Sequence, residues 1–280
     1  MRSLDPDSVP SRAGGSSTGG DGAVHRGVRP DMLLGAAVLL CGAAALVLGL
    51  VVAPPDSVQG NAQRLMYVHV PSAWTGFLAV GLMALASLMV VLVGSARWDR
   101  VARAAAELGT VAMALAFVEG SVWGQRAWGV WWTWDPRLVT TAVLVVSLIG
   151  LLAFRGFSGN DQRARRRTAV LGLVISLEVP VVHLSVLWWR SIHQPPTLLR
   201  PSLSDPIDHT MLLALAVSML TFTLAGIWWL RRRYHQLTVR QEQVATGVAR
   251  LRVLAQRCIP AGSATEDAVR NDVAASGGER

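Results

Sequence analysis

The stretch Met32–Val52 reads MLLGAAVLLCGAAALVLGLVV and contains 21 consecutive residues without a charge. A helix rises about 1.5 Å per residue, so about 20 apolar residues cross the hydrocarbon core of a bilayer. Backbone polar groups in lipid must be hydrogen-bonded internally, which a helix achieves and a lone strand does not. The stretch is therefore predicted to be a transmembrane helix, and the number of such stretches decides the fold.

Five further apolar stretches follow along the chain. They cover residues 73–94, 101–122, 138–154, 168–189 and 210–230. The stretch 101–122 is the weakest because it carries Arg103, Glu107 and Glu119, and the stretch 168–189 is broken by Glu178. Long charged side chains near a helix end can reach the interface, so both stretches are still predicted to span. The predicted fold class is an all-α integral membrane protein with six transmembrane helices.

The composition also favours lipid as the solvent of this chain. Hydrophobic residues make up 52% of the 280 residues and charged residues 16%, against about 25% in soluble domains. The net charge is +8, but the arginines lie in short clusters between apolar stretches, which argues against nucleic acid as a partner. Cys41 and Cys258 are far apart in the sequence, so no disulfide is expected. No phosphate-binding loop for ATP is present in the sequence.

The arginines near the span ends predict the orientation of the chain. One set of connections, including both termini, holds 14 arginines near the spans, and the other set holds five. The five are Arg64, Arg126, Arg137, Arg190 and Arg200. Because positively charged loops stay in the cytoplasm, both termini are predicted to be cytoplasmic. The connections 54–72, 123–137 and 190–209 are then expected on the extracytoplasmic face.

The chain divides into a membrane domain between two tails. Residues 1–30 are rich in Gly, Ser and Pro and are predicted to be a disordered cytoplasmic tail. Residues 31–233 are predicted to form the six-helix transmembrane domain. Residues 234–280 are predicted to be a second cytoplasmic tail, partly helical over about 237–254 and otherwise disordered.

The loop 123–137 reads WGQRAWGVWWTWDPR and carries five tryptophans within twelve residues. One interpretation is an aromatic belt at the membrane interface, and the other is a platform for a large flat apolar ligand. Two glycines in the loop would let the backbone approach a ligand closely. Asp135 and Arg137 could pair with each other, or Arg137 could meet a ligand carboxylate. The candidate residues are Trp123, Gly124, Trp128, Gly129, Trp131, Trp132, Trp134, Asp135 and Arg137.

Two histidines flank this loop on the same predicted face. His69 precedes the second span and His193 follows the fifth. A lone interfacial histidine is more often a surface residue, but two neutral imidazoles can hold a haem iron from opposite sides. His183, within the fifth span, is a third candidate or a buried contact of Glu178. Arg64 completes the set of accessory candidates.

Three segments carry a resemblance to a known family. Trp128-Gly-Val-Trp-Trp-Thr-Trp-Asp-Pro-Arg137 resembles the Trp-rich signature of the CcmC (heme exporter protein C) and CcsA families of cytochrome c maturation. Met66-Tyr-Val-His-Val-Pro71 and Trp188-Trp-Arg-Ser-Ile-His-Gln-Pro195 also resemble CcmC, in the same order within a six-span layout. The resemblance covers about residues 32–232. The long amino-terminal tail and Glu119 depart from the family pattern.

The resemblance implies a haem-handling function. It implies that His69 and His193 are the axial haem ligands and that the Trp-rich loop holds the macrocycle edge. It further implies non-covalent, transient haem b and delivery to a periplasmic haem chaperone. The chain has no Cys-x-x-Cys-His motif for covalent haem attachment. The implied partners are ABC transporter subunits and a small single-span protein, and the implied location is the bacterial plasma membrane, with the haem site extracytoplasmic.

Two alternative functions remain at this stage. A CcsA-type lyase would attach haem to apocytochrome c, but such proteins usually have more spans. A transporter or scaffold without haem would use the Trp loop only as an interfacial anchor. A transporter would be expected to carry intramembrane charges, for which Glu178 beside Pro180 is the one candidate. A haem-transfer component that is not an enzyme is the preferred interpretation.

Overall fold

The computed structural model describes residues 30–193 and 208–258, which form a bundle of α-helices. The helices are α1 (Pro30–Val47), α2 (Met66–Val93), α3 (Ala96–Trp128), α4 (Pro136–Phe157), α5 (Gln162–Ser176), α6 (Glu178–Trp188) and α7 (His209–Cys258). A π-helical turn, Leu48–Val52, extends α1, and a 3-10 helix, Asn61–Leu65, leads into α2. No β-strand occurs in these two described ranges.

Six spans are long and apolar enough to cross a membrane, with α5 and α6 counted as one, and this confirms the predicted helical class and span number. The helices are mostly longer than the apolar stretches, because interfacial turns continue them. The predicted tail 1–30 lies outside the described residues except for its last position. The end of the second predicted tail, 259–280, also lies outside them, as does part of the loop 190–209.

The third span, whose prediction was the weakest, is a helix of 33 residues. Two of the three charges within the apolar stretch 101–122 are paired: Glu107 forms ion pairs with Arg103 one turn away and with Arg233 of α7. A charge that is neutralised in this way can lie near the end of a membrane helix. Of the residues that weakened the hydropathy of this stretch, Glu107 therefore joins α3 to α7, whereas Glu119 forms no ion pair among the described residues.

Small side chains let α2 and α3 pack closely. The buried face of α3 includes Ala105, Gly109 and Ala112. On α2, a Cβ added at Gly76 would fall 2.5 Å from the sulfur of Met113. Membrane helices gain no hydrophobic advantage over lipid, so such close backbone approach is a main source of their association. This interface forms the centre of the bundle.

The fifth span is broken into α5 and α6 at Leu177. Leu177 N–H donates at 3.1 Å to the carbonyl of Val174, three residues before it, and this closes a narrower turn than the α-helical bond to the fourth residue does. Pro180 lacks an N–H and its ring crowds the carbonyl four residues before it, which accounts for the break. Glu178 follows the break directly and accepts a hydrogen bond from the Ser147 hydroxyl of α4 at 2.9 Å.

The sixth span does not end near residue 230 as the apolar stretch suggested. α7 continues unbroken for 50 residues to Cys258. The helix predicted at about 237–254 is therefore an extension of the last span and is not a separate element. Leu237 is buried, whereas Val244 and Leu251 are exposed, so the helix leaves the bundle between these positions.

The connections alternate between the two ends of the bundle. One end, which we call the Trp end, contains residues 53–65, 129–135 and 189–193. The other, the Arg end, contains residues 94–95 and 158–161 together with α7 from Arg231 onward. All candidate ligand residues belong to the Trp end or to the helix turns next to it.

Candidate functional site at the Trp end

The last two turns of α3 connect the two candidate histidines. The ring of His69 on α2 meets Trp123 edge-on, with ring centroids 5.8 Å apart. The ring of His193, beyond α6, meets Trp128 edge-on at 4.9 Å. Five residues of helix span about 7.5 Å, so the two tryptophans bring both histidines to one end of one helix. This grouping is the one that the sequence predicted.

Asp135 holds His193 in a fixed orientation. One carboxylate oxygen lies 2.9 Å from His193 Nδ1. The other accepts hydrogen bonds from the Ser191 hydroxyl and the Ile192 N–H, both at 2.8 Å. Asp135 also begins α4, where it accepts the Arg137 N–H. A carboxylate on Nδ1 sets the tautomer that leaves Nε2 with its lone pair, the arrangement found behind metal-binding histidines.

The electrostatics of this pair favour a neutral imidazole beside a charged carboxylate. Burial tends to raise the pKa of the Asp135 carboxyl, but the hydrogen bonds that it accepts outweigh burial and the pKa lies below its ordinary value. Burial lowers the pKa of His193, and Arg137 lowers it further, against the opposing effect of Asp135. The net pKa of His193 is below its ordinary value, so its ring is neutral at pH 7 and can bind a metal.

His69 differs from His193 in being enclosed by helices. It lies in the first turns of α2, and a Cβ added at Gly120 would fall 3.0 Å from its ring carbon Cε1. Its Nδ1 is buried and has no hydrogen-bond partner among the described residues. An unpaired buried ring nitrogen is costly. His69 therefore has one ring nitrogen, Nδ1, without a hydrogen bond, and it lies at the same end of the bundle as the oriented imidazole of His193.

Arg137 does not pair with the Asp135 side chain, contrary to one of the two roles suggested by the sequence. Its guanidinium donates to the backbone carbonyl of His183 at 3.2 Å. The ring of His183 lies edge-on to Phe77, with centroids 6.4 Å apart. The suggested contact between His183 and Glu178 is not formed, because Glu178 bonds to α4. Arg137 thus anchors α4 to α6, and it lies near enough to both histidines for its charge to act on them.

Three tryptophans of the loop present large aromatic surfaces to the surroundings. Trp134 is 83% exposed and Trp131 is 61% exposed. Trp132 lies between Trp134 and Phe117 of α3, with ring centroids 5.7 and 6.0 Å away respectively. Such exposure is unusual for residues with so much apolar area. The surface suits either contact with lipid or contact with a flat apolar ligand.

The two glycines of the loop have structural roles within the protein in addition to the predicted approach to a ligand, which stays a prediction. Gly129 ends α3 in the left-handed conformation, with a φ of 77°, which glycine adopts without strain. Gly124 faces the ring of Trp128, and a Cβ there would fall 3.1 Å from it. Arg64 donates to the carbonyls of Leu50 and Ala53 at the end of the first span. Its contacts are therefore structural.

Three residues of the site were not among those predicted. Gln59 accepts a hydrogen bond from the Trp123 indole at 2.8 Å, Ser191 bonds Asp135, and Gly120 provides the space for His69. Ser191 lies two residues before His193, which is a local signal. Gln59 and Gly120 contact residues that are distant in sequence, and no local sequence pattern identifies them. Glu119, beside Gly120, has one buried carboxylate oxygen without a partner among the described residues.

Comparison with known proteins identifies the family. The sequence profile of the CcmC family, described as heme exporter protein C, matches residues 25–249. This chain belongs to that family. The heme exporter protein C of Bradyrhizobium diazoefficiens is 35% identical over 198 residues, which are 68% of this chain and 75% of that protein. The family membership and the six apolar helices make this chain a multi-pass membrane protein.

Two further relatives are similar over a comparable length. The heme exporter protein C of Haemophilus influenzae is 32% identical over 201 residues, 70% of this chain and 80% of that protein. A putative cytochrome c biosynthesis ccmC-like mitochondrial protein of Marchantia polymorpha is 32% identical over 190 residues, 67% of this chain and 79% of that protein. Each of the three similarities therefore covers at least two thirds of this chain and at least three quarters of the relative.

Proposed function

We propose that this protein binds haem at the Trp end of the bundle and transfers it to an acceptor in cytochrome c maturation. His69 and His193 would be the two axial ligands of the iron. The exposed tryptophans, with Trp131 and Trp134 foremost, would contact the apolar face or edge of the macrocycle. Arg137, whose charge acts on both histidines, would pair with a propionate.

The observation that carries this proposal is that two histidines lie at the same end of α3, one held in a fixed orientation and the other with a ring nitrogen that has no hydrogen bond. His193 has its Nδ1 engaged by Asp135, which leaves Nε2 as the free ligand atom. His69 has a buried ring nitrogen without a partner, and both rings contact the last turns of α3. A bis-histidine site for iron gives a role to both imidazoles, whereas a purely interfacial anchor requires neither.

A carrier must also release its haem, and several features favour transient binding. The sequence has no Cys-x-x-Cys-His motif, so haem b would be held without a covalent bond. His193 belongs to a loop and its side chain is 20% exposed, so an incoming acceptor can reach it. The protein would act as a transfer component and not as an enzyme. Its partners would be a haem chaperone, ABC transporter subunits and a small single-span protein.

The proposed orientation places the Trp end outside the cytoplasm. It rests on the excess of arginines at the opposite end, 14 against five near the spans. Haem would then be bound on the extracytoplasmic face of the bacterial plasma membrane. A reporter enzyme that is active only in the cytoplasm, fused to the carboxyl terminus, should be active. Inactivity of that fusion together with activity of a fusion at residue 130 would reverse the orientation.

The ligand assignment is tested by the Soret spectrum of the purified full-length protein. His69→Ala and His193→Ala should each shift the Soret band and lower haem occupancy, and the double variant should be nearly colourless. His209→Ala is the matched control, because His209 is an exposed histidine where α7 begins. Added imidazole should restore part of the spectrum in the single variants.

Two results would contradict the proposal. A double variant that is folded and keeps full haem occupancy would exclude these ligands. Wild-type protein that stays colourless when haem is supplied, yet still forms a complex with its partners, would favour a scaffold. Monodisperse elution and an unchanged helical circular dichroism spectrum establish that each variant is folded.

A further inference from the structure

A cleft at the Arg end lies between the end of α2 and the start of α5. Its volume is about 210 Å³, and it is lined by residues 90–94 on one side and by Gln162, Arg165 and Arg166 on the other. About 10–15 Å³ of such space holds one water, so the cleft has room for a group much larger than one water. It lies at the opposite end of the bundle from His69 and His193.

The two walls of the cleft have opposite chemical character. The α2 wall consists of Val90, Val91, Leu92 and Val93 before the terminal Gly94. Leu92 and Val93 are 69% and 63% exposed. These residues end an apolar stretch, so their side chains lie at the depth where acyl chains begin. The α2 wall therefore suits a hydrocarbon chain.

The α5 wall supplies positive charge that no carboxylate of the described residues neutralises. Neither Arg165 nor Arg166 forms an ion pair with a carboxylate in the described parts of the chain. Arg165 donates through Nη1 to the Asn160 carbonyl at 3.0 Å, and its Nε is buried without a partner. Asp161 directly precedes Gln162 in the sequence but does not line the cleft. This wall suits an anion.

We propose that this cleft is a binding site for one anionic phospholipid. The phosphate of the headgroup would lie between Arg165 and Arg166, and an acyl chain would lie along Val90–Val93. Basic pockets between transmembrane helices are the kind of site that holds anionic headgroups. The inference is independent of haem, since it concerns the opposite end of the bundle from the histidines.

The alternative explanation of these arginines is that they only fix the orientation of the chain. That explanation treats all the arginines at the start of α5 alike, because orientation depends on their number near the span. The cleft distinguishes them: Arg166 lines it, whereas its neighbour Arg167 does not, although both are exposed. Arg166→Gln and Arg167→Gln therefore each remove one positive charge from adjacent exposed positions, but only Arg166→Gln changes a residue that lines the cleft.

The experiment is a lipid titration of the full-length protein, followed by native mass spectrometry. Phosphatidylglycerol, phosphatidylcholine and soluble glycerol phosphate are added separately to the detergent-solubilised protein. The wild type should retain one phosphatidylglycerol preferentially over phosphatidylcholine. Arg166→Gln should weaken that binding about fivefold, and Arg167→Gln by less than about twofold. Both positions are exposed, so neither change should prevent folding.

Three outcomes would overturn the proposal. If the two variants lose the same affinity for phosphatidylglycerol, the arginines attract the lipid only as a general positive surface and the cleft has no specific role. Equal retention of phosphatidylglycerol and phosphatidylcholine by the wild type would show that no anion is recognised. Displacement of the lipid by glycerol phosphate at similar concentrations would show that the ligand is a free phosphate and that the apolar wall contributes nothing.

Discussion

Asp135 combines two roles that usually belong to different residues. It caps α4 by accepting the Arg137 N–H, and it orients His193 through Nδ1. Asn caps a helix about as well as Asp does, but its amide cannot replace both carboxylate oxygens. Asp135→Asn should therefore leave α4 intact and weaken haem binding about 10- to 100-fold, the usual cost of losing a carboxylate behind a metal-binding histidine. Titration of the purified variant with haem measures the loss of haem affinity.

Asp208 provides the matched control for that substitution. Its carboxylate accepts the Thr210 N–H at 2.8 Å at the start of α7, and it contacts neither histidine. Asp208→Asn should bind haem as the wild type does. If the two Asn variants lose affinity equally, or if neither does, Asp135 acts only as a helix cap and does not position His193.

At the scale of the helix, α3 provides the surface on which His69 rests. A methyl group at position 120 would lie 3.0 Å from the His69 ring, which is too close for the ring to stay in place. Gly120→Ala should displace the ring and lower haem affinity while the helix remains folded, because Ala favours helix over Gly by up to about 1 kcal/mol. The Soret band and its maximum report the displaced ligand.

Gly150 of α4 is the corresponding control, since a Cβ there would meet nothing within 4 Å. Gly150→Ala should leave the Soret band unchanged. Identical spectra for both Ala variants would mean that His69 can move without consequence, and would argue against its role as a ligand.

The helices were more predictable from the sequence than the contacts between them. An uncharged apolar stretch such as Met32–Val52 indicates by itself that the segment lies in lipid. Hydropathy and length therefore locate a span without any knowledge of the helices around it. The hydrogen bond from Trp123 to Gln59 joins residues 64 positions apart, and no local pattern encodes it. For the same reason the continuous helix between residues 230 and 237 was not predicted: apolar residues stop near 230, and the ion pair of Arg233 with Glu107 of α3 lies beyond that point.

At the scale of the whole molecule, the ion pairs of the Arg end lie at the opposite end from the histidines. Arg155 and Asp99 are 2.6 Å apart with side chains 6% and 13% exposed, whereas Arg231 and Asp31 are 55% and 45% exposed. Asp99→Asn would leave a buried arginine unpaired and should lower the free energy of unfolding by about 3–5 kcal/mol, and Asp31→Asn by about 0–1 kcal/mol. Denaturant unfolding in detergent measures both, and the haem affinity of the folded fraction should not change. Equal losses of stability would show that the Arg155–Asp99 pair is screened by water, and a loss of haem affinity in Asp99→Asn would show that the two ends are coupled.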